Sequence, residues 1–273
     1  MSAYVFFTVD RRYVSFIGAA LLLVGGGVLL HESGASAHWM RWAHQQAWIG
    51  SEVWLTLTFW GDLSPLLLLG VWLARQDPAR RSLLLKLLLV GVVLTQLPKY
   101  GLNLPRPQSV LEPGVLQILG HPPGFVHSMP SGHALAVASV LAWMCWVCWM
   151  KGRPAVSWWR ICLAAGVALC VGWSRVAVGA HWPADVLVGW GLGLLTLVLA
   201  LWWERRQSWA KSLSTRAGRW FWMVVPLVPA ADLAVKHVDG QVASVLARVL
   251  VSLVMAGGVW HLARAAAVGQ WRS

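Results

Sequence analysis

Three short stretches hold side chains whose types and spacing suit the binding and transfer of a phosphate group. The first is centred on Lys99 and Arg106, the second is residues 130–133 (PSGH), and the third is residues 174–185 (SRVAVGAHWPAD). Charged residues make up only 12% of the 273-residue chain, and these stretches adjoin long apolar runs. Such a concentration of ionisable groups beside apolar segments indicates a functional site.

The third stretch contains the candidate nucleophile. His181 and Asp185 are four residues apart and share one face if a helix begins near His181. Pro183 suits the first turn of that helix, and Asp185 suits its positive end. A carboxylate beside an imidazole fixes its tautomer and leaves the other ring nitrogen free to attack, while Arg175 supplies a phosphate clamp. The alternative is a structural pair of Arg175 and Asp185 with an incidental histidine.

The second stretch has the pattern of a helix start. Ser131 suits the N-cap position, and a helix N-terminus offers unpaired backbone N–H groups to a phosphoryl oxygen. Gly132 lets the backbone approach the ligand without an intervening side chain. His133, in the first turn, would lie beside the bound group. The alternative is a histidine near a helix cap with no chemical role.

The first stretch supplies two permanent cations. Arg106 suits paired phosphate oxygens, whereas Lys99 acts as a point charge. Taken alone, this stretch favours the alternative that both side chains extend toward lipid phosphates at the membrane surface.

The composition is that of an integral membrane protein. Hydrophobic residues make up 58% of the chain and its mean hydropathy is +0.61, whereas soluble domains are about 45–50% apolar and about 25% charged. The net charge of +12 comes from residues between apolar runs, so it indicates membrane orientation rather than nucleic-acid binding. All four cysteines lie within apolar runs, including the Cys145 and Cys148 pair. We therefore expect neither a metal site nor a redox site there.

Apolar runs of 18 or more residues predict membrane-crossing helices. The sequence thus predicts an all-α polytopic helical bundle with about eight spans, near residues 13–31, 53–74, 82–98, 133–150, 160–177, 183–203, 220–235 and 241–262. Residues 36–48 suit a short interfacial helix. The first span could also be a signal peptide, with a small-residue site at residues 35–37, but its length favours a retained span.

The distribution of basic residues predicts the orientation. With the N-terminus in the cytoplasm, most of the 22 Lys and Arg residues fall on the cytoplasmic side. The three stretches then lie on the outer face, which is the periplasmic face of an inner membrane. Lys99, Arg106 and Arg175 are exceptions to the enrichment of basic residues on the cytoplasmic side, and a functional site explains why they lie on the outer face.

Together, the three stretches resemble the signature of the type 2 phosphatidic acid phosphatase family, which is itself similar to the vanadium haloperoxidases. The pattern is K-x6-RP, then PSGH, then SR-x5-H-x3-D. Every position is filled here, by Lys99, Arg106, Pro107, Pro130, Ser131, Gly132, His133, Ser174, Arg175, His181 and Asp185. The resemblance covers about residues 10–205 and implies a six-helix phosphatase core over residues 1–205. Residues 206–273 would be a cytoplasmic loop and an additional C-terminal transmembrane hairpin.

This resemblance implies a metal-independent phosphatase without a cofactor, acting on a phosphoric ester or diphosphate. His181 would form a phosphohistidine, Asp185 would orient it, and His133 would protonate the leaving oxygen and then help activate water. The phosphate oxygens would be held by Lys99, Arg106, Ser131, Gly132 and Arg175.

The expected substrate is a lipid phosphate or diphosphate in the outer leaflet of the inner membrane. Undecaprenyl diphosphate comes first, since carrier recycling demands a phosphatase on that face, followed by phosphatidic acid and phosphatidylglycerol phosphate. Hydrolysis or transfer of a lipid A phosphate is an alternative. Two hypotheses lie outside this class, a vanadate-dependent haloperoxidase and a non-catalytic transporter or scaffold. The signature leaves the lipid tail and the oligomeric state open.

Two further features of the predicted spans concern charge. Asp62 lies within the second span, where it either lines a substrate cavity or is neutralised by protonation or pairing. Asp232 and Arg248 flank the last hairpin at heights that predict a structural ion pair.

Overall fold

Helices make up nearly all of the secondary structure. The computed structural model describes residues 11–45, 50–112, 114–121, 124, 126–150 and 158–267. Its helices are α1 (Arg11–Glu32), α2 (Ala35–Gln45), α3 (Ser51–Phe59), α4 (Leu63–Ala74), α5 (Pro78–Leu102), α6 (Pro107–Val110), α7 (Gly132–Met150), α8 (Trp158–Ala177), α9 (Pro183–Arg206), α10 (Ala210–Ser214), α11 (Arg216–Val224), α12 (Leu227–Val235) and α13 (Gln241–Ala267). The β pairing within these residues is an isolated bridge between Pro105 and His127. The predicted all-α class is confirmed.

Among the described residues, four helices, α1, α5, α8 and α9, are long and apolar enough to cross a membrane. A fifth span is added if α3 and α4 together form one broken span, and α7 and α13 contain shorter apolar segments. The count of eight spans and the boundary at residue 205 remain predictions. Helix α2 confirms the predicted helix up to Gln45, and residues 46–48 lie outside the described residues.

The predicted second span is interrupted. Instead of one helix over residues 53–74, α3 and α4 meet at an angle of 48° across residues 60–62. A Cβ at Gly61 would lie 2.5 Å from Val171 Cγ1 and 3.1 Å from His133 Cβ. Only glycine allows this approach to α7 and α8, and the break brings Asp62 to the same place.

The predicted seventh span, residues 220–235, is also divided. Helix α11 ends at Val224 and α12 starts at Leu227, because Pro226 lacks the N–H that would continue the helix. The expected pair of Asp232 and Arg248 is wrong. Asp232 Oδ2 instead accepts a hydrogen bond of 2.6 Å from Ser64 Oγ, and this bond ties α12 to α4.

Helix α9 is the centre of the bundle, in contact with α1, α5, α7 and α8. Glycines allow its backbone to approach those of its neighbours. A Cβ at Gly189 would lie 2.6 Å from the carbonyl oxygen of Ser131, and one at Gly193 would lie 2.6 Å from that of Leu135. Gly191 makes the same close approach to α1. Small residues spaced by four, as in this helix, are a common means of packing helices closely in membranes.

The end of the bundle remote from the three stretches holds a buried ion pair. Lys86 on α5 is fully buried and pairs with Glu204 on α9, while Ser82 Oγ donates to the same carboxylate at 2.5 Å. A buried charge is tolerated when it is paired and hydrogen-bonded. This contact fixes α5 against α9, and therefore the height at which Lys99 leaves the bundle.

Candidate active site

The three stretches meet around one cavity of about 620 Å³. The following signature residues line it: Lys99, Arg106, Gly132, His133, Arg175 and His181. Ser131, Ser174 and Asp185 are completely buried behind this wall. Residues that are far apart in sequence thus form one site at one end of the bundle.

The His181–Asp185 pair is supported from several sides. His181 Nδ1 lies 3.3 Å from Asp185 Oδ2. The same oxygen accepts hydrogen bonds from the Trp182 backbone N–H at 2.9 Å and from Ser128 Oγ at 2.5 Å. Helix α9 begins at Pro183, so His181 precedes it while Asp185 is in its first turn. The carboxylate favours a proton on Nδ1 and leaves Nε2 as the atom with a free lone pair.

The surroundings of His181 keep its imidazole neutral. Only 2% of its surface is exposed. Burial lowers its pKa well below the usual 6.5, and the charges of Arg106, Arg175 and Lys99 lower it further. A neutral imidazole at neutral pH is the form that a nucleophile requires.

The start of α7 has the predicted capping geometry. Ser131 Oγ accepts a hydrogen bond from the Ala134 backbone N–H at 3.5 Å, and the Ser131 N–H donates to the Asp185 carbonyl at 3.0 Å. The second of these bonds joins the start of α7 to the first turn of α9. A Cβ at Gly132 would meet one atom within 4 Å, Thr95 Cγ2 at 3.6 Å, so the space beside this backbone is open cavity.

Two guanidinium groups are buried at the cavity wall. Arg106 Nη1 donates to the Ala180 carbonyl at 2.7 Å and lies 3.4 Å from His181 Nε2. Arg175 is 9% exposed, and its Nε has no hydrogen-bond partner among the described residues. An unsatisfied buried donor is costly, and an anion in the cavity would relieve that cost. Both side chains therefore suit a phosphate ligand.

Lys99 reaches the cavity from the last turn of α5. Asn103, in the left-handed conformation with φ 48°, ends that helix, and its N–H donates to the Lys99 carbonyl at 3.2 Å. The chain then turns back to Arg106. Trp182 Nε1 donates to the Pro105 carbonyl at 3.0 Å, which fastens this turn beside His181.

The cavity wall becomes apolar toward the middle of the bundle. Along α5 the wall is apolar at Leu87, Leu88, Gly91 and Val92 and becomes polar at Thr95, Gln96 and Lys99. Leu88 and Lys99 are about 16 Å apart along the helix. Along α7 the wall continues from His133 to Val140. The site thus combines a charged end with a long apolar groove.

Several residues at the site escaped the sequence analysis. Ser128 carried no signal except its position just before the second stretch. Lys236 follows α12 and forms an ion pair with Asp62. Asp62 also lines the cavity. The two alternatives given for Asp62, lining a cavity and being paired, therefore both apply. Gly61 packs against His133.

The outer mouth of the cavity holds a further group that the sequence did not connect. His121, His237 and Asp239 all line it, and their possible ligand atoms lie within 4.8 Å of one another. More than 100 residues separate His121 from the other two. A search for close spacing along the chain could not have found this cluster.

The sequence and the fold both resemble those of known proteins. Residues 81–209 match the PAP2 superfamily. The chain is 35% identical over 104 residues to an undecaprenyl-diphosphatase from Sulfolobus acidocaldarius, a match that covers 38% of this chain and 45% of that protein. It therefore spans less than half the length of this relative.

A solved structure also resembles the fold. It is described as the first transmembrane PAP2 type phosphatidylglycerolphosphate phosphatase from Bacillus subtilis. The TM-score is 0.54 with 25% sequence identity, and the likeness covers 72% of this chain and 98% of that one. The apolar helices and this likeness agree on a multi-pass membrane protein. All three stretches fall within residues 81–209, the segment that matches the PAP2 superfamily.

Proposed function

We propose that this protein is a membrane phosphatase that removes a phosphate group from a lipid phosphomonoester or diphosphate through a phosphohistidine at His181. The observation that carries the proposal is the buried His181–Asp185 pair at a cavity whose wall contains Arg106 and Arg175. The names of both relatives, each a phosphatase, support the class of reaction.

The first step forms the bond between His181 Nε2 and phosphorus. The lone pair of Nε2 attacks while Asp185 accepts the hydrogen bond from Nδ1–H and stabilises the cation that develops on the ring. The bond from phosphorus to the leaving oxygen breaks, and that oxygen takes a proton from protonated His133. In the second step His133 takes a proton from water, the water oxygen attacks phosphorus, and the P–N bond breaks to release phosphate.

Positive charge around the cavity stabilises the transferred group. Lys99, Arg106 and Arg175 would bind the non-bridging oxygens, together with backbone N–H groups at the start of α7. Phosphoryl transfer depends mainly on such positioning and charge stabilisation. Three cations supply charge of the kind that a metal ion provides in other phosphoryl-transfer sites, so we expect phosphate release to persist in EDTA.

The apolar groove supports a lipid substrate. A stripe of about 16 Å along α5 leads from Lys99 into the bundle and offers a path for a hydrocarbon chain. We propose undecaprenyl diphosphate as the first choice, supported by the similarity to the undecaprenyl-diphosphatase from Sulfolobus acidocaldarius. Phosphatidylglycerol phosphate, phosphatidic acid and lipid A phosphate remain candidates for the same site.

The decisive experiment for substrate class is a phosphate-release panel with purified protein in detergent and EDTA. The substrates are undecaprenyl diphosphate, phosphatidic acid, phosphatidylglycerol phosphate and lipid A, with a short water-soluble phosphate ester as the control. We expect the lipids to be hydrolysed with much higher kcat/KM than the soluble ester, and undecaprenyl diphosphate to lead. Equal kcat/KM for the lipids and the soluble ester would argue against a lipid substrate.

The orientation is a separate part of the proposal. The excess of Lys and Arg on one side supports a cytoplasmic N-terminus and a site that opens to the periplasm of an inner membrane. The test uses a variant without its native cysteines, in cells whose outer membrane is permeable and whose inner membrane is intact. In these cells we expect Val126→Cys to react with a membrane-impermeant maleimide. Ser208→Cys, on the opposite side, should react only after permeabilisation. The reverse pattern would overturn the orientation.

A further inference from the structure

We propose that His121, His237 and Asp239 bind one divalent transition-metal ion at the outer mouth of the cavity, with Zn²⁺ as the best fit. The three residues come from two separate segments, the loop between α6 and α7 and the turn between α12 and α13. Their nitrogen and oxygen ligand atoms lie within 4.8 Å of one another. No step of the proposed phosphoryl transfer passes through this site.

The carboxylate of Asp239 is held in position to act as a ligand. Its Oδ2 accepts a hydrogen bond of 2.8 Å from the His121 backbone N–H. Its Oδ1 lies 2.5 Å from His121 Nδ1 and 3.8 Å from His237 Nε2. One oxygen is therefore fixed by the backbone, while the other lies close to both imidazoles, as when hydrogen bonds orient the ligands of a metal site.

The loop backbone is adapted to this carboxylate. Gly120 has φ +78°, and a Cβ there would lie 2.6 Å from Asp239 Oδ2. A side chain at this position would displace the carboxylate. The two imidazole rings also lie close together, with centroids 4.3 Å apart.

The ligand set identifies the class of metal. Two imidazole nitrogens and one carboxylate oxygen suit Zn²⁺, with a fourth position left for water. Bond lengths of about 2.0–2.2 Å place tetrahedral ligand atoms about 3.3 Å apart. From Asp239 Oδ1 the separations are 2.5 Å to His121 Nδ1 and 3.8 Å to His237 Nε2, and all three ligand atoms lie within 4.8 Å of one another. Binding an ion therefore requires small movements of these side chains.

The surroundings allow an ion to enter. The side chains of His121 and His237 are 67% and 71% exposed. The neighbouring cation, Lys236, is paired with Asp62, so its charge is balanced. A bound ion would fasten the loop before α7 to the α12–α13 turn, across the mouth of the cavity.

The test uses the full-length protein in detergent after removal of metals, with Co²⁺ as a spectroscopic probe. We expect one Co²⁺ per chain with the visible absorption of a tetrahedral site, and stoichiometric Zn²⁺ should displace it. His121→Ala and His237→Ala should each weaken Co²⁺ binding by about a hundredfold or more. Removing a residue that only hydrogen-bonds to a ligand typically weakens metal binding by less than this. His38→Ala removes an exposed histidine of α2 and should change nothing.

A second variant separates loss of a ligand from loss of folding. His121→Cys replaces one zinc ligand by another, so it should retain tight Zn²⁺ binding where His121→Ala does not. The proposal is overturned if the wild-type protein does not bind Co²⁺ stoichiometrically. The cluster would then be only a hydrogen-bonded contact between His121 and Asp239. The proposal is equally overturned if the alanine variants bind as the wild type does, or if binding is lost in His181→Ala but kept in His121→Ala.

Discussion

At the scale of single residues, the environment of His181 suits the nucleophilic role that we propose for it. The carboxylate beside Nδ1 is fixed by Ser128 and by the Trp182 backbone N–H. The guanidinium of Arg106 lies next to Nε2. The first contact fixes the tautomer, and the second supplies charge where a phosphate oxygen would bind.

The pH dependence of kcat/KM follows from these surroundings. Burial and three nearby cations lower the pKa of His181 below 6.5, so Nε2 keeps its lone pair as the pH falls through that value. Only below the lowered pKa does protonation remove the nucleophile. Because kcat/KM reports the free enzyme, its acidic limb due to His181 should lie below pH 6.5.

The substrate also titrates in this range, since the second pKa of a phosphate monoester is about 6. Two esters with different second pKa values separate the contributions. If the acidic limb of the kcat/KM profile lies at the same pH for both esters, it reports a group of the enzyme. If that limb lies at or above pH 6.5, His181 is not held neutral in the way that its burial indicates.

Residue patterns in the sequence predicted the charged core of this site but not its supports. Lys99, Arg106, His133, Arg175 and His181 were recognisable because their types and local spacing suit phosphate chemistry. Residues such as Ser128 and Lys236 act through partners more than 50 residues away, a relation that no local spacing encodes.

At the scale of helices, the packing of α7 on α9 determines whether the two halves of the site meet. The Ser131 N–H donates to the Asp185 carbonyl, and Gly189 lies directly against the Ser131 carbonyl. Any side chain at position 189 would separate the first turn of α7, which carries His133, from the first turn of α9, which carries Asp185.

Gly189→Ala should therefore impair catalysis more than an ordinary helix substitution does. Its Cβ would lie 2.6 Å from a backbone oxygen, so a helix must shift, at a cost of about 1–3 kcal/mol in stability. Misplacement by about 1 Å lowers rates by about a hundredfold. We expect a loss of kcat of that order in phosphate-release assays, with a lower thermal unfolding temperature in detergent.

Gly166→Ala is the matched control. Gly166 lies within α8, and a Cβ there would meet nothing within 4 Å. This variant should keep wild-type kcat and stability. Equal behaviour of the two variants would mean that close packing at Gly189 does not position the site.

Hydropathy predicted where helices lie better than where they break. The spans near α1, α5, α8 and α9 were predictable from apolar length alone. The bend between α3 and α4 was not, because the approach of Gly61 to Val171 and His133 that accompanies it exists only in the folded bundle. Pro226 was visible in the sequence, and its missing N–H divides the predicted seventh span into α11 and α12.

At the scale of the whole molecule, the C-terminal helices take part in building the cavity. Helix α12 packs on α4, and α13 contacts α3 and α4. The turn between them brings Lys236, His237 and Asp239 to the cavity mouth. The sequence suggested an addition to a six-helix core, whereas the structure places part of that addition beside the predicted phosphate-binding residues.

The measurement that tests the central proposal most directly is the trapping of a phosphoenzyme. His133→Ala, supplied with an activated ester whose leaving group needs no proton, should still phosphorylate His181 but hydrolyse the phosphohistidine slowly. With radioactive phosphate in the ester, label should accumulate on the protein, stable to base and labile to acid. The double variant His133→Ala, His181→Ala should acquire none. Label of equal amount in the double variant, or continued phosphate release by His181→Ala at the wild-type rate, would contradict the assignment of His181 as the nucleophile.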